Sequence, residues 1–216
     1  MTRSATVLLA VALAGCGGCP GTARTPIPDR AGQCRTVARG TQQHRPGLPK
    51  PHTRLARGKT YVATVVTGCG SFRITLTPRR APVTGGSFAY LARLRFYDGL
   101  TFHRSSPDYL IQGGDPNGDG SGGPGYTVVE PPPPTLRYDR GVVAMARSQL
   151  DPPGASGSQF FVVTAPRTQL DPSYALLGRV TAGMDTVDRI AALPADSDDL
   201  LLRPVPIRSI RIAVAG

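Results

Sequence analysis

The chain has no tryptophan, and aromatic residues make up only 6% of its 216 positions. Apolar residues nevertheless account for 40% of the sequence, which is sufficient for one hydrophobic core. The 26 Gly and 22 Pro indicate many turns between short elements. This length fits one domain with an appendage better than it fits two domains.

Long hydrophobic runs are also missing. The apolar stretch at residues 5–14 follows a short positive start at Arg3, and about ten apolar residues are too few to span a bilayer. We therefore interpret residues 1–15 as a signal peptide. Leu13-Ala-Gly-Cys16 resembles the bacterial lipobox, which implies cleavage before Cys16 and diacylation of its sulfur. An ordinary secretory signal with an incidental cysteine is the alternative.

The sequence lacks the residues that most metal and hydrolase sites need. Cys16-x-x-Cys19 has no second Cys/His pair at zinc-binding spacing, so no metal is expected. His103 is the only histidine after residue 58, and no hydrolase elbow accompanies it. Outside the cytoplasm a disulfide between Cys34 and Cys69 is chemically allowed, with Cys19 as a competing partner.

Acidic residues are scarce near the N-terminus. Residues 17–60 carry nine Lys or Arg against one acid, whereas residues 61–216 carry 15 basic and 13 acidic side chains. The net charge of +11 therefore belongs largely to a Pro- and Gly-rich tether at residues 16–58, and no nucleic-acid partner is expected. The tether could lie against an anionic membrane or cell-wall surface. A solvated linker explains the same composition.

From residue 61 onward the pattern predicts a β-rich domain. Residues 61–67 and 72–77 are β-branched runs joined by a Gly-Cys-Gly turn, which indicates a hairpin. Helices are predicted from Pro82 to about Leu94 and over 183–191, with Gly85-Gly86 as a weak point in the first. Further strands are predicted at 101–103, 109–113, 126–129, 141–146, 159–164, 174–181 and 206–214. Many short strands and two helices predict a closed antiparallel barrel capped at its ends.

Four motifs occur in an order that points to a known family. They are FHRSSPDYLIQGGDP at 102–116, GVVAMA at 141–146, GSQFFVVTA at 157–165 and LDPSYALLGRV at 170–180. Residues 60–214 resemble the cyclophilin-type peptidyl-prolyl isomerases. The resemblance implies that residues 59–216 form a mainly β domain, a closed eight-stranded antiparallel barrel capped by two α-helices. It further implies proline-containing polypeptides as partners and no cofactor.

The chemistry of prolyl isomerisation suits these residue types. The X–Pro amide rotates over a barrier of roughly 18–20 kcal/mol because its C–N bond has partial double-bond character. No bond is broken, so a donor that binds the twisted amide better than the planar one is sufficient. Arg104, with its permanently charged and forked guanidinium, stands where the family has its catalytic arginine.

The resemblance assigns the remaining site residues. Arg104, Gln112 and Phe161 are expected to be catalytic, and Gln112 and Gln159 to position Arg104 and the peptide backbone. The substrate-binding residues are expected to be Tyr109, Leu110 and Leu170, which with Phe161 would hold the proline ring, and Met145, which would support that pocket from beneath. Tyr174 is expected at the pocket rim, and Ala146 and Arg147 along the groove, besides Gln159.

Some positions depart from the family pattern. Gln169 stands where the family's best known tryptophan lies, which weakens the expectation of tight cyclosporin binding. Together these observations predict an exported, lipid-anchored, monomeric isomerase at the outer face of the cell membrane. The alternative is a non-catalytic, membrane-tethered module that binds proline-containing peptides through the same groove.

Overall fold

The described part of the chain starts after the predicted signal peptide. The computed structural model describes residues 34–40 and 47–215, so the signal peptide, Cys16 and Cys19 lie outside the described residues. The described residues belong to one compact unit.

Eight strands form a closed barrel. The described residues contain ten strands in all: β1 (Thr60–Thr67), β2 (Gly70–Leu76), β3 (Thr101–Ser106), β4 (Leu110–Asp115), β5 (Val128–Val129), β6 (Val142–Met145), β7 (Ala155–Ser156), β8 (Phe160–Val163), β9 (Leu176–Ala182) and β10 (Leu200–Ala215). The barrel order is β1-β10-β3-β4-β8-β6-β9-β2, and β5 and β7 form a separate two-stranded sheet. Every pairing is antiparallel. The predicted eight-stranded antiparallel barrel is confirmed.

Two helices accompany the barrel, α1 (Pro82–Arg93) and α2 (Met184–Ala191). Pro82 opens α1, where its missing N–H costs no hydrogen bond. The Glu130 carboxylate accepts hydrogen bonds from the next two amides, Val83 N at 3.1 Å and Thr84 N at 2.7 Å, and its charge complements the helix dipole. Among the described residues, no helix has the length and apolar character needed to cross a membrane.

Alternation along the strands separates two apolar clusters. Phe160 and Val162 belong to the cluster that fills the barrel, where the Phe160 ring meets Phe88, Tyr97 and Phe102 edge-on at 5.6–5.9 Å. Phe161 and Val163 point the other way. They belong to a second cluster, called here the outer cluster, whose buried members are Ala81, Leu110, Tyr138, Val142, Ala144, Phe161, Val163, Ala165 and Leu176.

Part of the predicted tether is folded onto the domain. The Leu55 side chain is 6% exposed and joins the interior core, and its amide donates to Pro82 O at 2.9 Å. Gly85 and Gly86, the predicted weak point of α1, lie where this segment crosses the helix. A Cβ on Gly86 would overlap the Thr53 carbonyl oxygen, and one on Gly85 would lie 2.5 Å from a Leu55 methyl carbon. The glycines therefore give up helix propensity to admit the segment.

A second docked segment precedes it. Cys34 and Cys69 form a disulfide, with their Cα atoms 4.1 Å apart, so the first described residues are joined to the β1–β2 turn. Arg35 N donates to Gly68 O at 2.8 Å and Val37 N to Pro204 O at 2.9 Å. Described residues of the predicted 16–58 tether thus lie against the barrel, whereas absent hydrophobic periodicity had predicted a linker.

The last strand also starts earlier than predicted. The sequence predicts a strand at 206–214, but β10 begins at Leu200. Its pairing with β3 jumps from Leu200–Arg104 to Val205–Phe102, so the intervening residues loop away from β3. Pro204 and Pro206 have no N–H to donate to a strand partner, and prolines argue against a strand. The sequence therefore does not predict where β10 begins.

Replacing Leu55 with alanine tests whether the docked segment contributes to the core. Loss of a buried leucine leaves a cavity, and we expect Leu55→Ala to lower the free energy of unfolding by about 2–4 kcal/mol in urea titrations. Leu150, which is 97% exposed, supplies the matched control. Leu150→Ala should change the free energy of unfolding by less than about 0.5 kcal/mol. Equal stability of the two variants would mean that the segment contributes nothing to the core.

Candidate active site

Residues from four neighbouring strands form one row on the outside of the barrel. Arg104 on β3 pairs with Gln112 on β4, Gln112 pairs with Phe161 on β8, and Phe161 pairs with Ala144 on β6. Directly paired residues of antiparallel strands project from the same face of a sheet. The row therefore brings a guanidinium, an amide and an aromatic ring together, although their positions span 58 residues of sequence from Arg104 to Phe161.

A β-bulge at His103 places Arg104 in this row. Phe102 pairs with Gly113 and Arg104 with the adjacent Gln112, so His103 is an extra residue in β3. Without the bulge, alternation would put Arg104 on the same face as Phe102, whose ring lies inside the barrel. The extra residue moves the Arg104 side chain to the outer face, where it is 36% exposed.

An ion pair fixes one end of the Arg104 guanidinium. Arg104 Nη2 donates to Asp199 Oδ2 at 2.9 Å, and the Asp199 side chain is 30% exposed. The backbone reinforces this contact, since Ser105 N donates to Asp199 O at 2.8 Å. Within the described residues Arg104 has no other side-chain hydrogen bond, so most of its five donors are available to a ligand.

The two glutamines form a chain beside Arg104. Gln112 Nε2 donates to Gln159 Oε1 at 2.8 Å. Gln159 Nε2 in turn donates to the carbonyl oxygens of Gly120 and Gly122, both at 2.8 Å. Gln159 is 9% exposed, and its amide orientation is set by these two carbonyls. In the described residues Gln112 Oε1 accepts no hydrogen bond, so this acceptor is available to a ligand.

The outer cluster forms the apolar part of the site. Leu110 is 5% exposed and Phe161 is 2% exposed, so they form a floor. Partly buried Tyr109, Leu170, Tyr174 and Ala146 pack around it. The Tyr174 ring meets Phe161 edge-on, with centroids 5.4 Å apart and an interplanar angle of 89°. The expected proline-binding residues are thus brought together on one surface.

A polar cleft of 570 Å³ adjoins this surface. Gln112, Gln159, Ala146 and Arg147 line it together with the 116–127 loop. Arg147 is braced within the wall, because its Nη1 donates to Ser148 O and Asp151 O, each at 2.8 Å. Its guanidinium carbon also lies 5.5 Å from the centroid of the Tyr174 ring. The cleft therefore adjoins the apolar surface at Ala146, which belongs to both.

The two titratable side chains beside Arg104, His103 and Tyr109, are both neutral near pH 7. Burial lowers the pKa of His103, with Asp115 opposing and Arg104 adding to the fall, so the imidazole next to Arg104 is neutral near pH 7. Burial and the neighbouring Tyr174 raise the pKa of Tyr109, and Arg104 opposes them. The Tyr109 phenol therefore keeps its proton and can donate a hydrogen bond at neutral pH.

Met145 lies beneath the groove, where the resemblance places a supporting residue, and it is not part of the surface that would contact substrate. It pairs with Phe160, not with Phe161, and belongs to the interior core at 1% exposure. Because neighbouring strand residues face opposite sides, Ala144 faces the outer cluster and Met145 faces the barrel interior. Met145 supports the groove only from within the core.

Two contributors escaped sequence reasoning. Tyr138, 1% exposed, donates from its hydroxyl to Tyr174 O at 2.6 Å and accepts from Tyr174 N at 3.0 Å, while burial raises its pKa to about 12. It thereby fixes the backbone of Tyr174. Asp199 holds Arg104 from β10, 95 residues away along the chain. Neither residue lies in a family motif, and only the folded chain reveals their contacts.

Comparisons with known proteins agree with this geometry. A sequence profile described as "Cyclophilin type peptidyl-prolyl cis-trans isomerase/CLD" matches residues 61–212. Peptidyl-prolyl cis-trans isomerase-like 1 of Neurospora crassa is 38% identical over 152 residues, covering 68% of this chain and 91% of its own. Peptidyl-prolyl cis-trans isomerase B of Bacillus subtilis is 43% identical over 113 residues, covering 51% of this chain and 76% of its own.

Solved structures show the same fold. The crystal structure of a Cryptosporidium parvum cyclophilin type peptidyl-prolyl cis-trans isomerase has a TM-score of 0.66 at 28% identity, covering 73% of this chain and 99% of that one. A second crystal structure of that protein, in the presence of the dipeptide Ala-Pro, gives 0.64 at 29% identity, covering 70% and 98%. With the barrel, the outer row and these matches in agreement, the chain belongs to the cyclophilin-type peptidyl-prolyl cis-trans isomerases.

Proposed function

We propose that this isomerase accelerates rotation about X–Pro bonds in proteins that fold outside the cytoplasm, with Arg104 as the donor to the twisted amide. The observation that carries the proposal is the row of Arg104, Gln112 and Phe161 on three adjacent strands. The row places the Arg104 cation beside an apolar floor. The transition state for X–Pro rotation needs a donor for the twisted amide and an apolar site for the proline ring.

The row suits the electronic change that occurs during rotation. As the amide twists it loses resonance, and the prolyl nitrogen gains lone-pair character. A guanidinium already held in place stabilises that lone pair without reorganising, so it favours the transition state over the planar ground state. The outer cluster supplies an apolar seat for the proline ring, and the Gln112–Gln159 chain supplies polar contacts for the adjoining peptide backbone.

The same surface is suited to a proline-containing ligand. Proline has no N–H, so the groove needs no acceptor beneath the ring, and the Leu110 and Phe161 floor offers none. Tyr109, Leu170 and Tyr174 would flank the ring, while Ala146 and Arg147 border the cleft along which the next residues would extend. The related parasite protein studied with Ala-Pro supports a proline-containing substrate for this groove.

Two features support export and lipid anchoring. The Cys34–Cys69 disulfide suits an oxidising compartment. Leu13-Ala-Gly-Cys16 supplies the lipobox-like sequence, and two acyl chains on Cys16 would anchor the protein stably to the outer face of the cell membrane. The domain would act there as a monomer.

A basic surface supports contact with an anionic partner at that location. Arg57 and Lys59 from the docked segment meet Arg79 and Arg80 around one shallow depression, and Arg80 also borders a neighbouring one with Arg137. Within the described residues none of these five forms an ion pair. Their charge is available to attract lipid headgroups or cell-wall phosphate.

Replacing Arg104 tests the catalytic proposal. We expect Arg104→Ala to lower kcat/KM at least about 100-fold in a protease-coupled assay on a proline-containing peptide, because the donor to the amide is lost. Arg104→Lys should recover only part of the activity, since a lysine keeps the charge but not the fork.

Arg73, exposed on β2 and without an ion pair in the described residues, supplies the matched control. Arg73→Ala should retain wild-type kcat/KM. Wild-type activity in Arg104→Ala would reject Arg104 as the donor. Wild-type protein and Arg104→Ala both at the buffer rate, with peptide still bound, would favour the non-catalytic binding module.

Radiolabelled palmitate tests the lipid anchor. Because the lipobox-like sequence ends at Cys16, we expect label in the wild-type chain and in Cys19→Ser, and none in Cys16→Ser, when each is expressed in a bacterium that processes lipoproteins. The Cys19 variant controls for the general effect of losing an N-terminal thiol. Label retained in Cys16→Ser would disprove acylation at this residue.

A further inference from the structure

The turn that carries Asp199 contacts both the side chain and the backbone around Arg104. Asp199 adopts a left-handed conformation, φ 62°, between Asp196 and the first residue of β10. Its carboxylate accepts from Arg104 Nη2 at 2.9 Å, and its carbonyl accepts from Ser105 N at 2.8 Å. Any movement of this turn therefore moves the guanidinium and the strand that carries it.

The ion pair cannot hold that geometry unaided. The side chains of Arg104 and Asp199 are 36% and 30% exposed, and solvent-exposed pairs contribute little because water screens them and side-chain entropy opposes them. The turn must therefore set the position of Asp199, and other contacts must hold the turn itself in place.

Arg39 supplies that support from outside the barrel. Its Nε donates to Leu201 O at 2.7 Å and its Nη2 to Leu200 O at 2.5 Å. The same Nη2 lies 2.8 Å from Asp196 Oδ2. Asp196 Oδ1 accepts from the amide nitrogens of Asp198 and Leu200, both at 3.0 Å. One planar guanidinium thus joins both ends of the turn that presents Asp199.

The segment that carries Arg39 is itself fixed to the barrel. The Cys34–Cys69 disulfide and the hydrogen bond from Arg35 N to Gly68 O hold its beginning, and Val37 N donates to Pro204 O. A Cβ on Gly68 would overlap the Arg35 carbonyl oxygen, so glycine is needed where the segment crosses the β1–β2 turn.

We propose that Asp199 and Arg39 are positioning residues that act in series on Arg104, with the Cys34–Cys69 disulfide keeping Arg39 in place. This inference rests on the proposed role of Arg104 as the donor. Catalysis depends on where the guanidinium points, and a displacement of about 1 Å can cost up to 100-fold in rate. Peptide binding depends on the outer cluster and the cleft, which neither residue touches. Loss of either residue should therefore lower kcat and leave KM nearly unchanged.

Steady-state kinetics on the full-length chain, purified in detergent, test the series arrangement. We expect Asp199→Ala to lower kcat about tenfold and Arg39→Ala about fivefold, with KM within twofold of wild type in both. Because Arg39 acts through Asp199, the double variant should lose no more than Asp199→Ala alone. Arg39→Lys should recover part of the loss, and the isosteric Asp199→Asn should lower kcat in the same direction.

Matched controls separate positioning from charge and folding effects. Asp198→Ala removes a carboxylate from the same turn, and Arg208→Ala removes an exposed arginine from β10; neither side chain has a partner within the described residues, and both variants should keep wild-type kcat. Urea titrations report whether each variant is folded under assay conditions.

The disulfide supplies an independent arm. Adding a thiol reductant should lower wild-type kcat toward the Arg39→Ala value and leave Arg39→Ala itself unchanged. Losses that multiply in the double variant, or wild-type kcat in Asp199→Ala while Arg104→Ala is inactive, would overturn this inference alone. Wild-type activity in Arg104→Ala would overturn the proposed function and this inference with it.

Discussion

The extra residue in β3 determines whether Arg104 lies on the outer face of the barrel. Strand alternation would direct the side chains of Phe102 and Arg104 to the same side, and that side is filled by the Phe102 and Phe160 rings. A guanidinium there would be a buried charge without a partner, which is costly. His103 takes up the additional position as a buried, neutral imidazole, so the phase of the strand changes by one residue. Arg104 then meets Gln112 and, through it, Phe161.

The same strand alternation sends adjacent residues to different apolar clusters. Phe160 packs against three rings in the barrel interior, whereas Phe161 is the floor of the outer cluster. Met145 and Ala144 divide in the same way on β6. The interior core and the proposed site therefore use opposite faces of the same strands, so dense packing of the interior does not constrain the outer surface.

Local patterns predicted most of the barrel, and family motifs named most of the residues that the fold brings together in the candidate site. The β-branched runs indicated β1 and β2, and the motifs placed Arg104, Gln112 and Phe161 in one site before any geometry was known. Tyr138 and Asp199 could not be predicted this way, because each acts through a contact formed only when distant parts of the chain meet. Met145 is expected beneath the proline pocket, and strand alternation explains its place in the interior, since the neighbouring Ala144 faces the outer cluster.

The composition of the segment before β1 predicts a linker, whereas its described residues lie against the barrel. A Pro- and Gly-rich stretch without periodicity has the composition of a linker, and its own sequence gives no sign of docking. The sign lies instead in the elements that receive it, as glycines at Gly68, Gly85 and Gly86 where a side chain would block the crossing segment. Gly85 and Gly86 lower the helix propensity of α1. Their role is explained by the segment around Leu55, which packs where a side chain on either glycine would lie.

The folded unit consequently extends beyond the part of the chain that resembles the family. Residues 61–212 match the family profile, but Leu55 fills the interior core from one side of that boundary, and Arg39 reaches the Asp199 turn from the same side. The barrel alone supplies the row, the outer cluster and the cleft. The support behind Arg104, however, passes from Asp199 through Asp196 to Arg39 and ends at the Cys34–Cys69 disulfide. A segment with the composition of a tether thus contacts, in its described part, the turn that holds Arg104, the residue proposed as the donor.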